Sequence, residues 1–122
     1  MIVCSGKNAF VTGAGAGIGR ACAIALAKAG AHVIVSDIDG GSATETAEMI
    51  ASNGGSARAE QQDVCIEERW NDIFAGIQSR DGGLDIMVNN AGIAVGAPVT
   101  EMTLDEWRGQ MAVNLDAVFM GT

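Results

Sequence analysis

The sequence predicts a three-layer α/β domain in which helices cover both faces of a doubly wound parallel sheet. Four short apolar runs alternate with four longer segments of helical periodicity along the 122 residues. No internal repeat or low-complexity tract interrupts this alternation. Glycine, at 17 residues, is about twice as frequent as usual, and a glycine-rich turn follows the first apolar run. Parallel strands need helix-sized connections, which is why this alternation favours a parallel sheet.

The first strand and the first helix flank that glycine-rich turn. Residues 9–11 form a short apolar run that leads into Thr12. The alanine-rich segment 18–29 predicts a helix, which ends at Gly30 because glycine is favoured just after a helix C-terminus.

The second strand and helix are followed by a weaker third strand. Residues 32–36 are apolar and predict a buried strand. Ser42 and Glu45 have the spacing of a capping box, which predicts a helix that starts there and ends at residues 54–55, two glycines. Residues 57–62 predict the third strand, with less apolar character than the others.

The last two helices are predicted from apolar residues at helical spacing. The third helix carries Trp70, Ile73, Phe74 and Ile77, and glycines 82–83 end it. Residues 84–88 then form the fourth strand. A second capping box, Thr103 with Glu106, opens a fourth helix. The apolar face of this helix comprises Leu104, Trp107, Met111, Leu115 and Val118. We expect both tryptophans to pack in the core.

Right-handed crossovers between these parallel strands give the strand order 3-2-1-4. The order reverses between strands 1 and 4. Ligands of such sheets bind outside the carboxyl ends of the strands at that point. The sequence therefore predicts a ligand crevice beside the loops that follow strands 1 and 4.

Composition and charge exclude several classes of partner. The net charge of −8 disfavours nucleic acid and anionic membranes as ligands. Three widely spaced cysteines without a CxxC pair predict free thiols and no metal site. No apolar run reaches the ~18 residues of a membrane-spanning helix. We expect a cytoplasmic protein.

The turn from Thr12 to Gly19 has the context of a phosphate-binding loop, because it joins a predicted strand to a predicted helix. Gly13 permits a sharp turn, Gly17 lets the backbone approach a pyrophosphate, and Gly19 lets helix and strand pack closely. The helix N-terminus adds about half a positive charge. The alternative is a flexible glycine turn that binds nothing.

Asp37 ends the second strand, where a carboxylate can accept hydrogen bonds from an adenosine ribose. A 2′-phosphate ~4 Å from it would be repelled by ~4 kcal/mol at an effective dielectric constant of ~20. Asp37 therefore favours NAD over NADP. Arg20, the only nearby cation, is expected to be a solvated residue of the first helical turn. The alternative for Asp37 is an exposed aspartate of a turn.

Thr12-Gly13-x-x-x-Gly17-Ile18-Gly19 followed by Asn89-Asn90-Ala91-Gly92 resembles the short-chain dehydrogenase/reductase family, and the resemblance covers the whole chain. It implies a Rossmann-type fold that binds a nicotinamide cofactor. Asn89 would fix a strand. The resemblance implies cofactor contacts for Gly13, Gly15, Gly17, Ile18 and Gly19 at the pyrophosphate, Asp37 at the ribose, Asp63 and Val64 at the adenine, and Asn90, Ala91 and Gly92 beside the cofactor.

The resemblance also implies a catalytic set that this chain holds only in part. Asn114 matches the helix asparagine that helps to hold a water of the family's proton relay. The serine and the Tyr-x-x-x-Lys step are missing, and the chain has no tyrosine at all. Family members are roughly twice as long. We therefore expect residues 1–122 to be the NAD-binding N-terminal half of an enzyme, truncated before the catalytic helix and inactive alone.

The resemblance implies a parent reaction of hydride transfer between NAD and a small secondary alcohol or ketone. Alternatives are a non-catalytic NAD(H)-binding or sensing module, a truncated remnant, and an S-adenosylmethionine-dependent methyltransferase. Methyltransferases usually have an acidic residue on strand 1, where this chain has Thr12. Association with a second copy is expected through the last helix or the exposed edge of strand 4.

Overall fold

A four-stranded parallel sheet organises the chain, and the computed structural model describes it over residues 3–122. The strands run in the order β3-β2-β1-β4, as predicted. They are β1 (Asn8–Val11), β2 (His32–Asp37), β3 (Ser56–Gln61) and β4 (Ile86–Val88). β1 pairs with both β2 and β4. The order thus reverses beside β1, and β3 and β4 form the two edges of the described sheet.

Within residues 3–122, five α-helices connect or follow the strands. They are α1 (Gly17–Lys28), α2 (Gly40–Ser52), α3 (Glu67–Gly76), α4 (Leu104–Met111) and α5 (Ala117–Gly121). α3 continues into a π-helical turn, Ile77–Asp81, and ends at Gly82 with φ +83°, which agrees with the predicted glycine stop. A second π-helical turn, Ala112–Asp116, joins α4 to α5.

The start of α2 differs from the prediction. Asp39 is the N-cap, and its carboxylate accepts hydrogen bonds from the Ser42 N–H at 3.2 Å and the Ser42 hydroxyl at 3.0 Å. The predicted box of Ser42 with Glu45 is therefore wrong, because the aspartate three residues earlier caps first. At α4 the predicted box is confirmed, since Thr103 and Glu106 exchange hydrogen bonds at 3.1 and 3.0 Å.

The core has two apolar layers, one on each face of the sheet. Strand valines and alanines pack against α1 and α2 on one face. On the other face Phe10 lies edge-on to Trp70, with ring centroids 5.9 Å apart and an interplanar angle of 87°, and Ile73 and Ile77 surround the pair. This confirms the three-layer prediction and the core position of Trp70.

Three residues of the apolar face predicted for the fourth helix are exposed in the described chain. Leu104 and Trp107 on α4 and Leu115 in the π-helical turn after it are 59%, 49% and 56% exposed. The core position predicted for Trp107 is therefore wrong. Helical periodicity identifies an apolar face but not what covers it, and the described sheet ends at β4, so no strand lies beside this face.

Candidate functional site

The glycine-rich loop between β1 and α1 is fixed by backbone geometry and close packing. Gly13 has φ +61° and Gly17 has φ +56°, a region that favours glycine. A Cβ at Gly19 would clash with the carbonyl oxygen of Gly13. Glycine at these positions therefore lets the first turn of α1 lie directly against the end of β1.

Neighbouring elements also hold the loop. The Ala14 N–H donates to the Ser36 carbonyl at 2.8 Å, and the Thr46 hydroxyl donates to the Ala14 carbonyl at 2.8 Å. Arg20 donates to the Gly15 carbonyl at 2.6 Å and to Thr46 at 2.9 Å. The expectation of a solvated Arg20 is wrong, because this guanidinium clamps the loop.

Thr12 and Asn90 join the loop to the segment that follows β4. The Thr12 hydroxyl oxygen accepts hydrogen bonds from the N–H groups of Asn90 and Ala91, both at 3.0 Å. The Asn90 amide donates to the carbonyls of Thr12 and Gly13 at 3.1 and 3.2 Å. Asn89 instead lies against Gly121 of α5. The two loops at the switch point therefore form one hydrogen-bonded unit.

Asp37 lies at the carboxyl end of β2 and faces this unit. One carboxylate oxygen accepts the Gly15 N–H at 2.9 Å, and the other accepts the Asp39 N–H at 3.0 Å. A carboxylate has about four acceptor sites. Asp37 is therefore oriented by the backbone and still has capacity for two hydroxyl donors.

Asp63 and Val64 follow β3 on the same side of the sheet. The Asp63 carboxylate accepts the Cys65 N–H at 2.9 Å, and the Val64 carbonyl accepts the Trp70 indole N–H at 2.8 Å. Partial desolvation of the thiol and the adjacent Asp63 carboxylate raise the pKa of Cys65. This segment is therefore anchored to the core by Trp70.

Asn114 lies in the π-helical turn after α4 and pairs with Ile93. Its amide oxygen accepts the Ile93 N–H, and its amide N–H donates to the Ile93 carbonyl, both at 2.8 Å. The Asn114 side chain therefore ties the segment after β4 to the last helix, and this use of both polar groups was not predicted.

These segments enclose a cleft of about 290 Å³ at the carboxyl ends of the strands, near the lower limit of ~300 Å³ for small-molecule sites. The predicted residues that line it are Gly13, Asp37, Asp63, Val64, Asn90, Ala91 and Gly92. The predicted residues outside its lining are Gly15, Gly17, Ile18, Gly19 and Asn114. Ile18 is 77% exposed, on the open side of the loop.

Four further residues line the cleft that the sequence analysis did not assign to the cofactor site: Ile38, Gln62, Ile93 and Val113. Each adjoins a predicted residue in the chain: Asp37, Asp63, Gly92 and Asn114 respectively. The chain neighbours of the predicted site residues could therefore have been identified as candidates for the lining of the cleft.

This geometry is accompanied by a family match. A family model for the short chain dehydrogenase matches residues 7–122. The chain belongs to the short-chain dehydrogenase/reductase family. This is an oxidoreductase family that uses a nicotinamide cofactor, and the match excludes the methyltransferase alternative.

Individual short-chain dehydrogenase relatives agree with the match. The chain is 40% identical over 119 residues to 3beta-hydroxysteroid dehydrogenase 1 of Eggerthella lenta, and covers 45% of it. It is 38% identical over 120 residues to the NADP-dependent (R)-specific alcohol dehydrogenase of Lentilactobacillus kefiri, and covers 46% of it. These alignments take in 95% and 96% of the present chain. The chain thus spans about half the length of these relatives.

Solved structures of short-chain dehydrogenases superpose closely. A short-chain type dehydrogenase/reductase from Mycobacterium marinum matches with a TM-score of 0.94 at 34% identity, over 98% of this chain and 49% of that one. A metagenomic short-chain oxidoreductase in complex with NADP matches with a TM-score of 0.90 at 34% identity, over 95% of this chain and 53% of that one. The Rossmann-type fold is therefore established.

Other kinds of site are not found in the described part of the chain. Residues 3–122 contain no cluster of three or more metal-ligating side chains. They also contain no helix that is long and apolar enough to cross a membrane. His32 contacts Ser56 at 2.6 Å and Asp81 at 3.2 Å, at the end of β2 opposite the cleft, in keeping with a structural role.

Proposed function

We propose that residues 1–122 form the NAD(H)-binding half of a dehydrogenase that transfers hydride between NAD and a secondary alcohol or ketone. The observation that carries this proposal is the placement of Asp37, whose carboxylate is oriented by the N–H groups of Gly15 and Asp39 at the rim of the cleft. A ribose diol matches its remaining acceptor capacity. The glycine-lined loop beside it suits a diphosphate, because it presents backbone rather than side chains.

The preference for NAD over NADP rests on charge. A 2′-phosphate placed at Asp37 would meet a fixed negative charge. Arg20 is paired with Glu45 at 3.5 Å and with the Gly15 carbonyl. Arg69 is held by Glu60 at 2.9 Å and by the Gln61 carbonyl. Neither guanidinium is therefore free to neutralise that phosphate.

Within this proposal the chain binds and orients the cofactor rather than completing the reaction. The bound nicotinamide cofactor supplies hydride transfer. Asp37 holds the ribose, the loop from Gly13 to Gly19 receives the diphosphate, and Asp63 with Val64 borders the adenine. Asn114 holds the backbone of Ile93, which lines the cleft, through two hydrogen bonds. The chain has no tyrosine, so these 122 residues do not provide the family's tyrosine acid/base group.

Fluorescence titration of the purified chain with NADH and NADPH tests the proposal. We expect saturable NADH binding and NADPH binding weaker by at least about tenfold, because about a third of the ~4 kcal/mol repulsion already corresponds to a tenfold difference in Kd. Equal or tighter binding of NADPH would contradict the preference for NAD. A longer protein that contains this chain should oxidise a secondary alcohol with NAD, whereas the 122-residue chain should show no turnover.

We propose no nucleic acid or membrane partner, a cytoplasmic location, and self-association through the last helix or the β4 edge. A non-catalytic NAD(H)-sensing module shares every binding feature described above. Activity of the longer protein separates the two functions, because a sensing module would bind NADH without oxidising any alcohol.

A further inference from the structure

A buried hydrogen-bonded pair lies under the cleft and leaves one polar group unused. Ser36 at the end of β2 is fully buried, and Gln62 after β3 is 2% exposed. The Ser36 hydroxyl donates to the Gln62 amide oxygen at 2.9 Å. The amide nitrogen of Gln62 is buried and has no hydrogen-bond partner among residues 3–122. An unpaired buried donor is destabilising, so its retention requires an explanation.

The position of this amide relates it to the adenosine end of the cleft. Gln62 lines the cleft together with Asp37, Asp63 and Val64. Its backbone N–H donates to the Asp37 carbonyl at 2.8 Å, and Asp63 follows it directly in the chain. Ser36 holds the amide oxygen and thereby sets the orientation of the amide. The group left without a partner is therefore a positioned N–H donor, whose nitrogen is itself buried.

The chemistry of this donor complements that of its neighbours. Asp37 and Asp63 offer carboxylate acceptors, which suit ligand hydroxyl or amino groups. Gln62 offers the opposite function, a donor without a partner. An adenosine has both kinds of group, because its hydroxyls and exocyclic amine donate while its ring nitrogens accept.

We propose that Gln62 is an adenosine-binding residue, whose free amide N–H donates to an acceptor that arrives with the cofactor. The acceptor is a ring nitrogen of the adenine or a water molecule trapped beneath the ring. Ser36 acts as its positioning residue. The inference rests on the proposed NAD(H) binding and adds a contact that the resemblance does not assign. Cofactor binding then satisfies a donor that is unpaired in the free protein.

Binding and stability measurements on Gln62→Met and Ser36→Ala/Gln62→Met test this inference. Methionine has a similar length and no donor. We expect NADH binding to weaken about three- to tenfold in both variants. The melting temperature of the cofactor-free double variant should not fall, because both polar partners are removed together. Gln78→Met, at an exposed position on the π-helical turn after α3, is the matched control and should change neither quantity.

Nicotinamide mononucleotide, which lacks the adenosine, serves as the second ligand. Its affinity should be the same in the unsubstituted chain and the variants. Unchanged NADH affinity in Gln62→Met, or an equal loss for the mononucleotide, would overturn the role of Gln62 while leaving NAD(H) binding intact. Absence of NADH binding by the unsubstituted chain would overturn the proposed function, and this inference with it.

Adenosine monophosphate analogues that each lack one ring nitrogen distinguish the two acceptors. With direct contact, one analogue binds the unsubstituted chain more weakly than its parent but binds Gln62→Met as well as the parent does. With a bridging water, no single analogue behaves this way, and a crystal of the complex shows the water beside the Gln62 amide. A crystal in which that amide has neither partner would contradict the proposal.

Discussion

The Asp37 carboxylate accepts a hydrogen bond from the backbone N–H of Gly15 across 2.9 Å, and so joins the end of β2 to the loop after β1. The residue proposed to bind the ribose is thus also part of the support for the diphosphate loop. Cofactor recognition and loop order therefore depend on the same side chain, and substitutions at Asp37 should affect both.

The two roles of Asp37 can be separated by comparing Asp37→Asn with Asp37→Ala. Asparagine keeps an oxygen that can accept the Gly15 N–H, whereas alanine removes both acceptors. We expect Asp37→Ala to lower the free energy of unfolding by about 1–3 kcal/mol and Asp37→Asn by less. Both should reduce the preference for NADH over NADPH about tenfold or more. Denaturant unfolding and paired titrations give these values, and an unchanged preference in Asp37→Asn would contradict the charge argument.

Gly19→Ala should disrupt the loop. The added methyl group would meet the Gly13 carbonyl oxygen and the Asn90 amide, so loop and helix must move apart. We expect the free energy of unfolding to fall by about 1–3 kcal/mol and NADH binding to be lost. Gly76→Ala at the end of α3, where an added Cβ would have nothing within 4 Å, should instead stabilise the chain by up to about 1 kcal/mol. Similar destabilisation by both substitutions would show that the Gly13 contact is unimportant.

The sequence was sufficient to predict the sheet order and much of the site, because both depend on short-range patterns. β1 and β2 are apolar runs, and the residues that follow parallel strands all lie at the carboxyl ends of those strands, on one side of the sheet. Gly13, Asp37 and Asn90 were therefore predictable from their place after a strand. Their shared position in the cleft follows from parallel pairing alone.

Other features depended on tertiary contacts that a local pattern does not contain. Asp39 and Ser42 are both acceptable N-cap residues, and only the folded turn after β2 decides in favour of Asp39. The partners of Arg20 lie on the loop and on α2. Gln62 shows no pattern in sequence, and its unpaired amide is visible only once Ser36 is placed beside it.

The reactivity of Cys65 should depend on Asp63. Desolvation and then the Asp63 carboxylate raise the pKa of this thiol, and the thiolate is the reactive form. Cys65 should therefore react more slowly with iodoacetamide at pH 8 than a cysteine in an unstructured peptide. Asp63→Asn should lower the pKa of Cys65. The reaction should therefore become faster at pH 8, and its rate should rise to half of its maximum at a lower pH. Peptide mass spectrometry gives the rate. Asp72→Asn, an exposed carboxylate on α3, is the control, and equal acceleration by it would contradict the assignment.

Asn114→Ala should release the segment that follows β4. The substitution removes both hydrogen bonds to Ile93. We therefore expect the free energy of unfolding to fall by about 1–3 kcal/mol and amide hydrogen exchange in residues 91–99 to become faster. Asn114→Asp keeps an acceptor for the Ile93 N–H but loses the donor to its carbonyl, so an intermediate effect is expected. Asn71→Ala, at an exposed position on α3, controls for the change in helix propensity. If exchange in residues 91–99 is the same in Asn114→Ala as in the unsubstituted chain, Asn114 does not hold this wall of the cleft.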